Sequence, residues 1–134
     1  MKQDIDFPSV QGVYTAVART FHSLEAQEWS VYLINNNDFA LKNILITSKG
    51  YGFKDDQKQK TSIIRQHISI LEPKSYAQIE RIVPEVFHLY NEYWVSYYLN
   101  DQIYDKKFIF VPESIREEHL TQIEILNLEG ILHT

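Results

Sequence analysis

The sequence has no cysteine among its 134 residues, and this absence excludes disulfide bonds, thiol nucleophiles and thiolate metal sites. Glycine and proline occur only four times each, and no apolar run approaches the roughly 18 residues that a membrane-spanning helix needs. The first ten residues carry acids where a secretory signal needs an apolar stretch. We therefore expect a cytoplasmic protein consisting of one domain over residues 1–134, with residues 1–10 as a loose lead-in.

Positive charge is also scarce, since 13 basic residues face 18 acidic ones. A formal charge of −5 opposes phosphate backbones, and no cluster of lysine and arginine reverses it locally. We therefore expect no nucleic-acid partner and no membrane partner. The five histidines show no metal-binding spacing, and no nucleophile-elbow, zinc-protease or calcium-loop motif is present. The sequence thus predicts neither a metal nor a cofactor and favours a protein that is not an enzyme.

Aromatic and β-branched residues are abundant, and they recur with a period of two. Strands are predicted near 12–21, 29–35, 42–48, 62–71, 76–82, 92–99, 103–111 and 121–127. Short helical turns are predicted over 84–91 and 114–120, the second from the capping-box spacing of Ser114 and Glu117. Seven or eight short strands with frequent turns predict an all-β fold, an antiparallel sandwich of two sheets.

The segment Asn35-Asn36-Asn37-Asp38 interrupts this alternation and raises the question of whether it is a binding site or a turn. Asparagine and aspartate bond to their own backbone and tolerate left-handed conformations, as a chain reversal requires. We interpret the segment as a corner between strands.

Two hairpins follow from the pattern. A turn over 72–75 would pair Ile70 with Ala77 and set His67 opposite Glu80. A tight turn with Asn100-Asp101 or Asp101-Gln102 as its central pair would join the strands at 92–99 and 103–111. The core predicted from these faces comprises Val31, Leu33, Ile44, Ile46, Ile64, Ile68, Ile70, Ile79, Val95, Tyr97, Phe108 and Phe110.

Three groups of residues are candidates for function. Arg65, His67 and Glu80 would form a charged cluster able to hold a small anion or to orient a base, with solvated cross-strand charges as the alternative. The polar loop 49–61, with Lys49 and Tyr51, would serve as a ligand lid, a partner-binding loop or only a long connection.

The third group is an apolar set on one strand face. Trp94, Tyr98, Ile103 and Ile109 share a face of the second hairpin, which is either buried under neighbouring segments or exposed as an interface.

Most of the chain, notably "VYLINNNDFALKNILITSKGYG" and "NEYWVSYYLNDQIYDKKFIFVPESI", resembles a small family of bacterial proteins without an established activity. Some members carry a name taken from the phenylalanyl-tRNA synthetase alpha subunit, but the synthetase motifs are missing here, so none of its residues is carried over. The overall pattern also resembles immunoglobulin and fibronectin type III sandwiches, which implies Tyr93 or Tyr90 as a corner tyrosine of the penultimate strand.

Together these observations predict a non-enzymatic binding or assembly module that associates with a protein partner or with itself. The alternative is a ligand-binding or weakly catalytic protein that uses Arg65, His67 and Glu80. A translation-related role follows only from the name given to some members of the family that the chain resembles.

Overall fold

The computed structural model describes residues 10–134, which form ten strands and two short 3-10 turns. The strands are β1 (Val13–Phe21), β2 (Gln27–Asn35), β3 (Leu41–Lys54), β4 (Gln57–Lys60), β5 (Ile64–Leu71), β6 (Ser75–Ile82), β7 (Tyr90–Leu99), β8 (Gln102–Phe110), β9 (Thr121–Ile123) and β10 (Leu128–His133). The 3-10 turns cover Pro84–Val86 and Glu117–His119, and within residues 10–134 no helix could cross a membrane. The predicted lead-in lies, apart from Val10, outside the described residues.

The strands form two antiparallel sheets, which confirms the predicted sandwich. Sheet 1 has the order β6-β2-β1-β10-β9, and sheet 2 has the order β4-β3-β7-β8. In sheet 2, β5 pairs with the same long strand β3 that β4 pairs with. β4 and β5 can be counted together as a fourth strand, which makes β6 the fifth, β7 the sixth and β8 the seventh. The second strand (β2) then pairs with the fifth, and the third (β3) pairs with the sixth, which pairs with the seventh. These pairings also occur in immunoglobulin-like sandwiches, to which β9 and β10 are additional here.

The asparagine-rich segment is a corner at which the chain leaves sheet 1 and enters sheet 2, as predicted. The side-chain nitrogen Nδ2 of Asn35 donates towards three backbone carbonyl oxygens. It lies 2.8 Å from that of Phe39, 3.2 Å from that of Leu71 and 3.0 Å from that of Glu72. The Asn35 side-chain oxygen accepts a hydrogen bond from the backbone of Asn37. One buried side chain therefore ties this corner to the end of β5.

The core lies between the sheets, and every second residue of the central strands enters it. The ring of Trp29 meets that of Phe87 edge to face at 5.4 Å, and Tyr93 meets Phe110 in the same way at 6.2 Å. Nine of the twelve predicted core residues are buried, and Ile68 packs against them while partly exposed.

The predicted burial of Ile64 and Ile70 is wrong, since each is 46% exposed. Asn43 has a φ of 50° and lies at a register shift between β3 and β7. This irregularity places Leu41 and Ile44 on the same inner side of β3. Leu71, which pairs with Leu41, therefore faces the core, and Ile70, which pairs with Lys42, faces outward.

The second predicted hairpin is confirmed. Leu99 pairs with Gln102, and Asn100 and Asp101 between them have φ values of 50° and 62°. Two left-handed residues form the tight turn whose twist suits an antiparallel pair. The register also places Tyr93 and Phe108 together on the inner face, as the sequence predicts.

The first predicted hairpin is wrong, because its two strands belong to different sheets. β5 pairs with β3, whereas β6 pairs with β2, where Ala77 lies opposite Leu33 rather than Ile70. The turn at Glu72–Lys74 crosses between the sheets instead of returning within one.

The predicted loop over 49–61 is also wrong. β3 continues to Lys54, turns at Asp55 and Asp56 with φ values of 50° and 64°, and returns as β4. Two consecutive aspartates in left-handed conformations are a hairpin turn, not a long connection.

Two details near the end of the described chain also differ from expectation. Ser114 donates its hydroxyl to the Val111 carbonyl, and the 3-10 turn begins after Arg116 without a side-chain cap, so the capping box is absent. The strand expected over 121–127 ends at Ile123, and β10 follows a turn at which Asn127 has a φ of 54°.

The two sheets differ in how their outer faces are covered. On sheet 1 the outward side chains of Ala16, Ala18 and Ile34 are buried in a small apolar cluster with Ile123 and Leu126. The outer face of sheet 2 has no such cluster among the described residues. Sheet 2 therefore has the more open outer face.

Candidate functional site

The outer face of sheet 2 is an open surface rich in apolar and aromatic side chains. The strand registers place the following residues on it: Arg65, His67 and Ile70 from β5; Lys42, Leu45, Thr47, Lys49 and Tyr51 from β3; Tyr90, Glu92, Trp94, Ser96 and Tyr98 from β7; and Ile103, Asp105, Lys107 and Ile109 from β8. All four predicted interface residues belong to this set.

The apolar residues at the centre of this face are accessible. Trp94 is 44% exposed, Tyr98 46%, Ile103 53% and Leu45 54%. Ile109 is less exposed. The hypothesis of burial under neighbouring segments is therefore wrong for Trp94, Tyr98 and Ile103, which are exposed. Leu45 was not among the predicted interface residues, although its place between the inward residues Ile44 and Ile46 requires it to point outward.

Positive charge surrounds the apolar residues. Lys107 places its Nζ 4.9 Å from the centre of the Trp94 ring, a cation–π contact. On β3, β5, β7 and β8 the face carries four bases (Lys42, Lys49, Arg65, Lys107) and two acids (Glu92, Asp105). Because the whole chain has more acids than bases, this face is basic on an acidic protein.

Glu92 forms a cluster with Lys49, Tyr51 and Tyr90 at one end of the face. Its side chain is buried beneath Lys49 and Tyr51, with Oε2 3.7 Å from Lys49 Nζ and Oε1 accepting the Tyr51 hydroxyl at 3.3 Å. The Tyr51 ring stacks on that of Tyr90 at 5.4 Å. Burial, with the negative charge of Glu92, raises the pKa of the Tyr51 hydroxyl. Lys49 and Tyr51 are thus part of a structured β3 strand rather than a lid.

The structure does not bring the predicted cluster of Arg65, His67 and Glu80 together. Arg65 and His67 are exposed on the outer face of sheet 2, opposite Thr47 and Leu45 of β3. Glu80 lies in sheet 1, because the chain crosses between the sheets after β5, and β6 pairs with β2. Its side chain points inward, where it contacts Tyr93. No base or anion site composed of these three residues exists.

Glu80 instead joins the sheets at the rim of the core. Its Oε1 accepts the Tyr93 hydroxyl at 2.6 Å, and its Oε2 accepts the Ser48 hydroxyl at 3.1 Å. Burial, reinforced by the negative charge of Glu80, raises the pKa of Tyr93 far above the usual value for tyrosine. The expected corner tyrosine is therefore not formed by Tyr93, whose hydroxyl binds a side chain rather than the backbone.

A pocket of about 240 Å³ opens beside this Glu80 contact, between β3 and the end of β6. Most of its exposed lining is apolar, and its polar groups include those of Ser48, Glu80 and Tyr93. Within residues 10–134 there is no group of three or more histidine, aspartate or glutamate side chains that could hold a metal ion.

No protein-family model, curated protein sequence or solved structure matches this chain.

Proposed function

We propose that this protein is a non-enzymatic binding module that docks an acidic protein partner on the outer face of sheet 2. The observation that carries the proposal is the contiguous exposure of Leu45, Trp94, Tyr98 and Ile103 on a regular sheet. Aromatic anchors on a rigid surface are typical of the residues that dominate binding energy at protein interfaces.

Charge supports one class of occupant. The excess of bases over acids on β3, β5, β7 and β8 of this face favours a partner whose apolar contact area is bordered by carboxylates. Two copies of this face in contact would bring two surfaces with an excess of positive charge together, which opposes self-association through it. Because Lys107 already lies over Trp94, an acid of the partner near this pair would contact both the base and the ring edge.

The first experiment is a pull-down from the source organism with the immobilised full chain. Trp94→Ser and Lys107→Glu are compared with Leu24→Ser, which removes a fully exposed apolar side chain from the β1–β2 turn. We expect a captured protein to be lost with both face variants and retained with the control. Retention by Trp94→Ser would contradict the proposal.

The second experiment tests whether the captured protein binds by the proposed chemistry. The purified partner is titrated at increasing salt, and its candidate acids are changed to lysine in combination with Lys107→Glu. A partial recovery of affinity in one such charge swap is expected, because opposite charges are restored across the interface. Concentration-dependent sedimentation of the chain alone, abolished by Trp94→Ser, would instead identify a second copy as the occupant.

A further inference from the structure

The pocket beside Glu80 lies apart from the exposed apolar residues of the outer face of sheet 2, and its chemistry is different. Its lining includes Thr61 and Ser62, which precede β5, and Val83, which follows β6. Ile82 and Val86 supply apolar wall, and Glu80 provides the carboxylate. A volume of about 240 Å³ is below the range of sites for drug-sized ligands, so a ligand would have only a few non-hydrogen atoms.

Glu80 has neutral donors but no ion-pair partner among residues 10–134. Its two hydrogen bonds come from the hydroxyls of Tyr93 and Ser48. The two bases that line the pocket are engaged elsewhere: Lys49 lies 3.7 Å from Glu92, and the Nε of Arg81 lies 3.1 Å from Glu28.

A carboxylate can accept about four hydrogen bonds, and two of those of Glu80 are used. A partly buried charge without a counter-ion is costly, and a cation placed in the pocket would compensate it. A divalent metal would need more anionic ligands than one carboxylate, and no such group exists in the part of the chain that the structure describes.

We propose that this pocket binds a small primary ammonium compound with a short apolar tail. Glu80 is the counter-ion of the ammonium group, while Tyr93 and Ser48 fix the carboxylate by donating to its two oxygens. The apolar walls formed by Ile82 and Val86 receive the tail. The proposal does not depend on the partner-docking function, because none of these residues lies on the outer face of sheet 2.

The test is a titration of the full chain with n-butylammonium chloride, followed by amide NMR. Sodium butyrate and n-pentanol serve as probes of similar size with negative and no charge. We expect shifts centred on Ser48, Glu80 and Tyr93 with butylammonium alone. Equal shifts with butyrate or pentanol, or shifts without preference for the pocket, would overturn the proposal.

Variants give an independent readout. Glu80→Gln keeps the shape of the side chain but removes its charge, and it should weaken butylammonium binding by about tenfold or more. If Glu80→Gln does not fold, the comparison of the three probes on the unmodified chain still decides the outcome. Trp94→Ser should bind butylammonium normally, which separates failure of this proposal from failure of the docking function.

Discussion

The hydroxyl of Tyr93 in β7 donates a 2.6 Å hydrogen bond to Oε1 of Glu80 in β6, and this bond connects the two sheets across the rim of the core. Tyr93 is almost wholly buried, whereas Glu80 is only partly so. The bond therefore satisfies a hydroxyl that has little access to water, and it holds the carboxylate at the pocket.

Loss of this bond should destabilise the fold. Tyr93→Phe keeps the ring but leaves Glu80 with one donor fewer, and we expect a loss of about 1.5–3 kcal/mol because the acceptor is charged. Denaturant unfolding at neutral pH measures it. Tyr98→Phe, at an exposed position, is the matched control and should change stability by no more than about 0.5 kcal/mol. Equal effects of the two variants would contradict the role assigned to the bond.

Alkaline pH should weaken the fold through buried tyrosines. Burial, with a smaller effect of Tyr104, raises the pKa of Tyr97 to about 12. Tyrosine in an unfolded chain ionises near pH 10, so the folded state keeps a proton that the unfolded state releases. The stabilisation is complete below about pH 10 and is lost as the pH rises towards 12. Unfolding measured across this window should show a shallower pH dependence in Tyr97→Phe. Val95→Ala, a destabilised control that keeps every tyrosine, should retain the original slope.

Thr15 offers a route to higher stability. Its side chain is fully buried, and its hydroxyl has no hydrogen-bond partner among the described residues. Thr15→Val replaces the hydroxyl by a methyl group of similar size, and we expect a gain of about 1 kcal/mol in chemical denaturation. Thr15→Ser keeps the hydroxyl and loses a methyl group, so it should be destabilising. A marked loss of stability in the valine variant would show that the hydroxyl is satisfied.

The Asn35 corner should be sensitive to substitution. Asn35→Ala leaves carbonyl groups of both Phe39 and Leu71 without their side-chain donor, and we expect a loss of about 2–3 kcal/mol. The neighbouring Asn36 is exposed, so Asn36→Ala is the control and should be nearly neutral. Thermal melts of the two variants distinguish a structural corner, at which only Asn35 matters, from a run of interchangeable polar residues.

The fold class was predictable because local signals were sufficient for it. Period-two alternation identified most strands, and Asn100-Asp101 specified a tight turn whose register then fixed both faces of β7 and β8. That register placed Trp94 and Tyr93 on opposite faces, but it left open whether the Trp94 face was buried, and the structure shows that it is exposed.

The partner of each strand was harder to predict, because a turn does not reveal whether the chain stays in its sheet. Glu72–Lys74 was expected to close a hairpin, yet it crosses between sheets, and the supposed proximity of His67 and Glu80 was lost with it. Conversely, Asp55-Asp56 was expected to lie in a loop and closes a hairpin. The contact of Glu80 with Tyr93 depends on the stacking of the two sheets, which no local pattern encodes.

The pairing of β1 with β10 has a consequence for how the protein is made. Thr15 lies opposite His133 and Arg19 opposite Glu129, although more than a hundred positions separate them along the sequence. While a ribosome is still translating the intervening segments, one edge of β1 has no neighbour and can capture a strand from another nascent chain. The pairing of β10 with β1 is therefore the late step at which correct folding competes with misassembly. We expect dependence on chaperones to be greatest before this step.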